Sequence, residues 1–268
     1  MNQNLPATKQ TTALITGASS GIGYELAKIF AQNKHNLILV ARSEEKLKSF
    51  AQQFEADYGI SCKIICCDLS KAGAAQEVFR KVNSLNLSID YLVNNAGLGA
   101  CGLFKETDLS QESESIQVNV TALTEISKMF LPSMLEKRFG GILNVASTAA
   151  FQPGPLMAVY CATKAYVTSF SEALSNELSG TGVHVSVLCP GATKTNFSNV
   201  AGMENIKLFS SFLPVADSTS VALAGYKGFF AHKKTIIPGL INKIGACSTK
   251  FVSRSFAANM SRSLMEKK

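Results

Sequence analysis

Thr12-Ala13-Leu14-Ile15-Thr16-Gly17-Ala18-Ser19-Ser20-Gly21-Ile22-Gly23 is the stretch whose reading decides the fold. A short apolar run opens into glycines at 17, 21 and 23, and Leu26, Ile29 and Phe30 follow at helix spacing. A strand that turns through glycines into a helix suits a dinucleotide. The glycines let backbone approach a pyrophosphate, and the helix amino terminus offers unpaired N–H groups and a favourable dipole. Gly17, Ser19, Ser20, Gly21, Ile22 and Gly23 are therefore candidate cofactor contacts. A glycine turn alone is weak evidence, and the spacing here is GxxxGxG, so the strand–turn–helix context carries the reading.

Outward from this unit the same pattern repeats. Asn36–Ala41 is apolar almost throughout, as a parallel strand covered on both faces is. Ser43 is expected to cap the next helix, with Glu44, Glu45 and Lys46 in its first turn. Further strands are read over Cys62–Cys67, Ile89–Asn94, Gly141–Ala146 and Val183–Cys189, and long helices over Leu109–Lys137 and Val159–Leu178. Alternation at this spacing predicts right-handed βαβ crossovers. The expected architecture is α/β, a single-domain Rossmann-type doubly wound parallel sheet with helices on both faces, spanning residues 1–268. Residues 192–217 are the least regular and read as a mobile substrate flap with a short helix. Residues 239–268 read as a basic C-terminal helical extension.

Composition narrows the class. The 268 residues are 46% hydrophobic and 17% charged, enough apolar side chain for a substantial core. No stretch of 18 consecutive apolar residues predicts a membrane span, and the polar start, Met1 to Thr12, predicts no secretion. The seven cysteines, at 62, 66, 67, 101, 161, 189 and 247, lack metal-type spacing. They read as free thiols in a reducing cytoplasm, with no metal site. The net charge of +7 resides wholly in residues 231–268, which hold eight Lys or Arg and one Glu, so the body of the chain offers no nucleic-acid surface.

Two positions bear on the choice of nicotinamide dinucleotide. After the second strand, NAD-selective folds place an acid on the ribose 2′-hydroxyl. Here the residues are Val40-Ala41-Arg42-Ser43, and Arg42 can pair with a 2′-phosphate, which favours NADP(H). Asp68 and Leu69, after the third strand, are placed to meet the adenine, although Asp68 can equally cap the following helix.

Further motifs follow in order: Asn94-Asn95-Ala96-Gly97 at the end of the fourth strand, Ser147 after the fifth, then Tyr160-Cys161-Ala162-Thr163-Lys164. Tyr160 and Lys164, four apart on a helix, emerge on one face. A phenol's pKa near ~10 is too high for a base at neutral pH, and a nearby ammonium would lower it. The Ser147 hydroxyl can stabilise charge developing on a substrate oxygen.

With these motifs in this order, the chain resembles the short-chain dehydrogenase/reductase superfamily from about residue 10 to 240. The resemblance implies hydride transfer between NADP(H) and a carbonyl or secondary alcohol, with Tyr160 as general acid–base group. It implies that Lys164 also holds the nicotinamide ribose and that Asn119 maintains a helix kink and a water linking Lys164 to solvent. It adds Asn95, Ala96, Gly97, Pro190, Gly191, Thr193 and Thr195 as cofactor contacts. Homodimers or homotetramers built on helices 109–137 and 159–178 are expected on the same ground.

The substrate pocket is expected to be apolar, lined by Phe151, Leu156, Met157 and Leu98, and by Phe197, Met203, Leu208, Phe209, Phe212 and Leu213 of the flap. One alternative is reduction of a 3-oxoacyl thioester on an acyl carrier or coenzyme A. Another, from a different class, is a cofactor-sensing or scaffold protein without turnover, which would not need Asn119, Ser147, Tyr160 and Lys164 together. In the tail, Leu240, Ile244, Cys247 and Phe251 form one helical stripe, with Lys243, Lys250 and Arg254 on an adjacent face. Such a helix can lie on an anionic membrane or dock on its own domain or a neighbouring subunit. Docking is the expectation, since the stripe is modest.

Overall fold

The protein is described here by a computed structural model covering residues 10–203, 206–207 and 215–266. The chain runs β1 (Thr12–Thr16), α1 (Gly21–Gln32), β2 (Asn36–Ala41), α2 (Glu44–Tyr58), β3 (Cys62–Cys66), α3 (Ala74–Ser84) and β4 (Tyr91–Asn94). It continues through α4 (Leu109–Ile116), a π-helical turn (Gln117–Ala122), α5 (Leu123–Lys137), β5 (Gly140–Val145), a 3₁₀ turn (Thr148–Phe151), α6 (Ala158–Glu177) and β6 (Val183–Leu188). After these come β7 (Thr193–Lys194), α7 (Phe197–Val200), β8 (Ala216–Asp217), α8 (Ser218–Phe230), β9 (Thr235–Ile236), α9 (Leu240–Ser248) and α10 (Arg254–Met265).

Seven parallel strands form one sheet in the order β3-β2-β1-β4-β5-β6-β9. The alternation of β1 explains its apolar sequence. Ala13 and Ile15 enter a core with Leu26 and Phe30 of α1, Phe54 of α2 and Phe229 of α8. Leu14 points the other way, into a core with Val78 of α3, Phe130 of α5 and Leu174 of α6. A strand buried on both faces can carry apolar residues at successive positions. Each fully buried Leu or Ile contributes about 1.5–3 kcal/mol.

Three local expectations are corrected. The single helix read over 109–137 is interrupted by the π-helical turn at Gln117–Ala122, which the apolar periodicity does not reveal. Ser43 holds the N-cap position of α2, but its hydroxyl makes no cap bond. The single helical stripe from 240 to 254 is two helices, because Ser253 caps a new one by accepting from the Phe256 N–H at 3.2 Å. The seventh strand, β9, was not anticipated; two residues are too short for a periodic signal.

Strand order reverses direction between β1 and β4, and open parallel sheets bind ligands outside the carboxyl ends at that switch point. Of the flap, residues 192–203, 206–207 and 215–217 are described; β7 pairs with β8, and α7 is the expected short helix. Leu208, Phe209, Phe212 and Leu213 lie outside the described residues.

Candidate active site

A cavity of about 1150 Å³ opens along the carboxyl ends of the strands. That is room for a dinucleotide and a substrate, beyond the several hundred Å³ of an ordinary ligand site.

One end is the glycine turn. Gly17 has φ +65°, and Ser20, the extended N-cap of α1, makes no side-chain cap bond, so backbone donors of the first turn remain for an anion. Gly17, Ser19, Ser20, Gly21 and Ile22 line the cavity. Gly23 does not. A Cβ there would overlap the Asn95 amide and the Gly17 carbonyl, so this glycine serves the close packing of helix on turn. The turn is tied to β4: the Thr16 hydroxyl accepts from the Asn95 N–H at 3.0 Å and the Ala96 N–H at 3.1 Å. The Asn95 side-chain amide donates to the Thr16 carbonyl at 3.0 Å. Thr16 was missed as a positioning residue because its role is an inter-strand contact.

Arg42, after β2, is exposed at the cavity wall and pairs with no carboxylate among the described residues. Lys46, on the first turn of α2, lines the same wall; the sequence reading gave it only a helical place. Asp68 and Leu69 line the cavity too, and the Asp68 carboxylate accepts from the Ser70 N–H at 3.1 Å. It therefore closes a turn well ahead of α3.

At the other end Tyr160 and Lys164 project from one face of α6, and Lys164 Nζ lies 5.8 Å from the centroid of the Tyr160 ring. Lys164 is 4% exposed and donates to the Val145 carbonyl at 2.9 Å, with no ion pair to a carboxylate among the described residues. Burial draws its pKa down to about 8. Tyr160 keeps part of its ring open to the cavity, yet burial pushes its phenol up, opposed by hydrogen bonding with the Ser147 hydroxyl. Burial thus sets the direction of the phenol's pKa in this structure, and it favours the neutral form of both groups. Ser147, at the end of β5, also donates to the Pro190 carbonyl at 3.4 Å and accepts from the Ala149 N–H at 3.1 Å.

Asn119 sits in the π-helical turn, 1% exposed and off the cavity wall. Its side chain clamps Leu98: Oδ1 accepts from the Leu98 N–H at 2.9 Å, and Nδ2 donates to the Leu98 carbonyl at 2.8 Å. Nδ2 also donates to Thr163 Oγ1 on α6 at 2.9 Å. The kink thus joins the loop after β4 to the helix that carries Tyr160. Gly97 lies between Asn119 and Lys164, since a Cβ on it would fall 3.3 Å from Lys164 Nζ and 3.4 Å from Asn119 Oδ1.

Asn95, Ala96, Gly97, Pro190, Gly191, Thr193 and Thr195 all line the cavity. The Thr193 hydroxyl donates to the Gly191 carbonyl at 2.9 Å, and the Thr195 hydroxyl accepts from the Phe197 N–H at 3.3 Å. Met157, Leu98, Met203 and Phe197 line it as expected of an apolar pocket, with the Phe197 ring 5.2 Å from that of Tyr160. Phe151 does not. It ends the 3₁₀ turn facing inward and packs against a small core of Leu123, Val167 and Val187. Leu156 is off the wall as well. Gly99 was missed: a Cβ there would fall 2.8 Å from Tyr160 Cδ2. Gln152 and residues of α9 and α10 also line the substrate side and were not foreseen.

A sequence profile described as short chain dehydrogenase matches residues 11–205. The chain belongs to the short-chain dehydrogenase family. It is 32% identical to a 17-beta-hydroxysteroid dehydrogenase type 3 of Mus musculus over 237 residues, 87% of this chain and 75% of that one. It is 39% identical to a very-long-chain 3-oxoacyl-CoA reductase of Phaeosphaeria nodorum over 181 residues, 65% of this chain and 52% of the relative, so it spans about half of that protein. A solved short-chain dehydrogenase from Sphingobium yanoikuyae, in complex with NADPH, superposes with a TM-score of 0.81 at 31% identity, covering 90% and 93% of the two chains. The chain is accordingly built on the parallel sheet of an oxidoreductase family. No helix among its described residues is long and apolar enough to cross a membrane.

Proposed function

We propose that the dehydrogenase works with NADP(H) on the carbonyl or secondary alcohol of an apolar substrate, with Tyr160 as its acid–base group. The observation that carries this reading is one cavity with Ser147 and Tyr160 at one end and Arg42 at the other. The cradle fits a dinucleotide, since α1 begins without a side-chain cap and Gly17 and Gly21 line its approach. Arg42 and Lys46, with no acid directly after β2, would hold a 2′-phosphate. A bound nicotinamide supplies or accepts the hydride.

The chain's own residues do the rest. Tyr160 holds a proton on its hydroxyl and delivers it to the substrate oxygen, and its raised pKa keeps that proton in place until then. Ser147 donates a hydrogen bond to the same oxygen, within reach of Tyr160. Lys164 holds a positive charge beside the phenol that steadies the phenolate left behind. Asn119 fixes α6 and the loop after β4 in one arrangement. Copies pairing through α4 to α6 belong to the same reading, supported by exposed Leu109, Ile116 and Tyr166.

A second reading, reduction of a 3-oxoacyl thioester, is favoured by Gln152. It is half-buried at the cavity wall with no hydrogen bond among the described residues, and its amide would serve a second substrate oxygen such as a thioester carbonyl. The similarity to a 3-oxoacyl-CoA reductase supports it.

The test is a fluorescence titration of NADPH and NADH against the native protein and Arg42→Ala. NADPH is expected to bind more tightly, and to lose about tenfold or more in the variant while NADH is unchanged. Equal or tighter NADH binding overturns the cofactor assignment, and no binding of either overturns the enzyme reading.

A further inference from the structure

The C-terminal extension carries an apolar surface that the other described residues do not cover. Helix α9 buries only Ala246, and α10 buries only Ala257 and Ser261. The large side chains point outward: Leu240 is 73% exposed, Ile244 60%, Phe251 87%, Phe256 53% and Met260 56%. With Ile241 and Val252, seven of the seventeen exposed large apolar side chains among the described residues fall between 240 and 260. Of the two docking expectations, its own domain or a neighbouring subunit, the first is not met by the large side chains of the stripe; small residues make that contact.

Two further observations select what covers this face. The first is charge. Lys243 on α9, Lys250 in the turn after it and Arg254 on α10 are exposed and form no ion pair among the described residues. Glu266, the one acid after residue 231, is already held by Lys207 and Arg262. In a two-fold contact the patch would meet itself and set these cations against their own copies with no carboxylate between them. An anionic lipid surface meets both needs, taking apolar side chains at the acyl boundary and cations among the headgroups. The second is continuity. Ile241, Ile244, Val252, Phe256 and Met260 are exposed and also line the cavity that reaches Tyr160, whereas Leu240 and Phe251 stand outside it. The patch is the outer lip of the substrate cavity.

We propose that α9, α10 and the turn between them dock on an anionic phospholipid bilayer, and that the cavity opens through this face so that an apolar carbonyl substrate enters from the lipid. The helices have 9 and 12 residues, too short to span, so they lie in the interface. The entry route rests on the carbonyl-reductase reading; the docking does not.

The experiment is flotation of the full chain with phosphatidylcholine vesicles, with and without phosphatidylserine, at low and high salt. Two variants accompany it. Leu240→Glu/Phe251→Glu blunts the apolar lip without touching the cavity lining. Lys243→Glu/Lys250→Glu/Arg254→Glu reverses the charge. Thermal melting and NADPH titration check that both remain folded. The native chain is expected to float with phosphatidylserine vesicles, at least about tenfold better than with phosphatidylcholine alone, and to be released by salt. Each variant is expected to lose about tenfold or more. No flotation of the native chain, or flotation that both variants retain, overturns the proposal. So does sedimentation showing a dimer that only the first variant dissolves, with no lipid binding. Lipid binding that survives a failed NADPH titration would sink the cofactor reading and leave the docking face standing.

Discussion

Lys137 and Lys164 sit at opposite ends of one parallel sheet and are treated in opposite ways. Lys137, at the amino ends of the strands, donates to Asp90 Oδ1 at 2.6 Å, Ser88 Oγ at 2.8 Å and the Ile89 carbonyl at 3.0 Å. Asp90 also accepts from the Thr12 N–H at 2.9 Å, so both charges are closed into the fold. Lys164, at the carboxyl ends, is more deeply buried, yet has the Val145 carbonyl and no paired carboxylate among the described residues. A buried charge without a counter-charge costs stability, and a fold keeps one where it has work to do. The contrast sets one end of the sheet apart as scaffold and the other as the end to which the proposed chemistry is assigned.

The largest expected effect tests the chemical end. Tyr160→Phe should lower kcat by about 10³-fold, the range of a lost general acid, while NADPH titration is unchanged. Retained turnover would remove Tyr160 from the mechanism and dissolve the contrast.

Next come the two lysines themselves, with stability effects of opposite sign. Lys137→Met strands the Asp90 carboxylate, whose side chain is 8% exposed, and should destabilise the fold by about 3 kcal/mol with kcat intact. Lys164→Met should stabilise it at pH 7, on the order of 2–3 kcal/mol, while turnover is lost. The folded pKa of Lys164, about 8, lies below its ordinary 10.5, so protonation is penalised in the fold. The native protein regains that stability as pH rises from 8 to 10.5, and the variant's advantage should fade across the same window. Denaturant melts of both variants at pH 7 and pH 10 decide it; destabilisation by both at pH 7 would show that Lys164 is a structural charge like Lys137.

What was legible in the sequence divides along the same line. The glycine turn, Tyr160 and Lys164 were readable because local geometry places them, in a turn after a strand or as two side chains on one helix face, while Ser147 was legible through the order of the family's motifs. Strands β1, β2, β4, β5 and β6 were readable because burial on both faces forces apolar runs. The network behind them was not. Asn94 Nδ2 donates to Ser127 Oγ and to Asn144 Oδ1, both at 2.9 Å, and Asn144 donates to Ser171 Oγ at 2.9 Å. These partners lie 27 to 50 positions apart, and no periodicity points to them. Gly99 and Thr16 were missed for the same reason, as was the break between α9 and α10; the irregularity at Gln117–Ala122 came only through the family resemblance, as a kink at Asn119, because apolar spacing runs on through it.

The smallest expected effect returns to the scaffold end. His184, near the start of β6, stacks on His232 with ring centroids 4.1 Å apart and lies 4.4 Å from Phe229. Gly141 on β5 makes room for it, since a Cβ there would fall 2.6 Å from His184 Cε1. Burial, with His232 adding to it, lowers the His184 pKa to about 4, whereas the imidazole is ordinarily near 6.5. The neutral ring is therefore the form the fold accepts. Its contribution to stability is present above pH 6.5 and lost as pH falls through about 4. Because the ring is partly exposed, solvent screening holds the effect to about 1–2 kcal/mol. Melts between pH 7 and pH 4 should show a shallower acid loss for His184→Phe than for the native chain, with NADPH binding and turnover at pH 7 unaltered. Carboxylates titrate alike in both proteins, so the difference between the two curves isolates the imidazole. If the curves run parallel, the ring is accommodated in both charge states, and the scaffold end tolerates an open charge as the chemical end does.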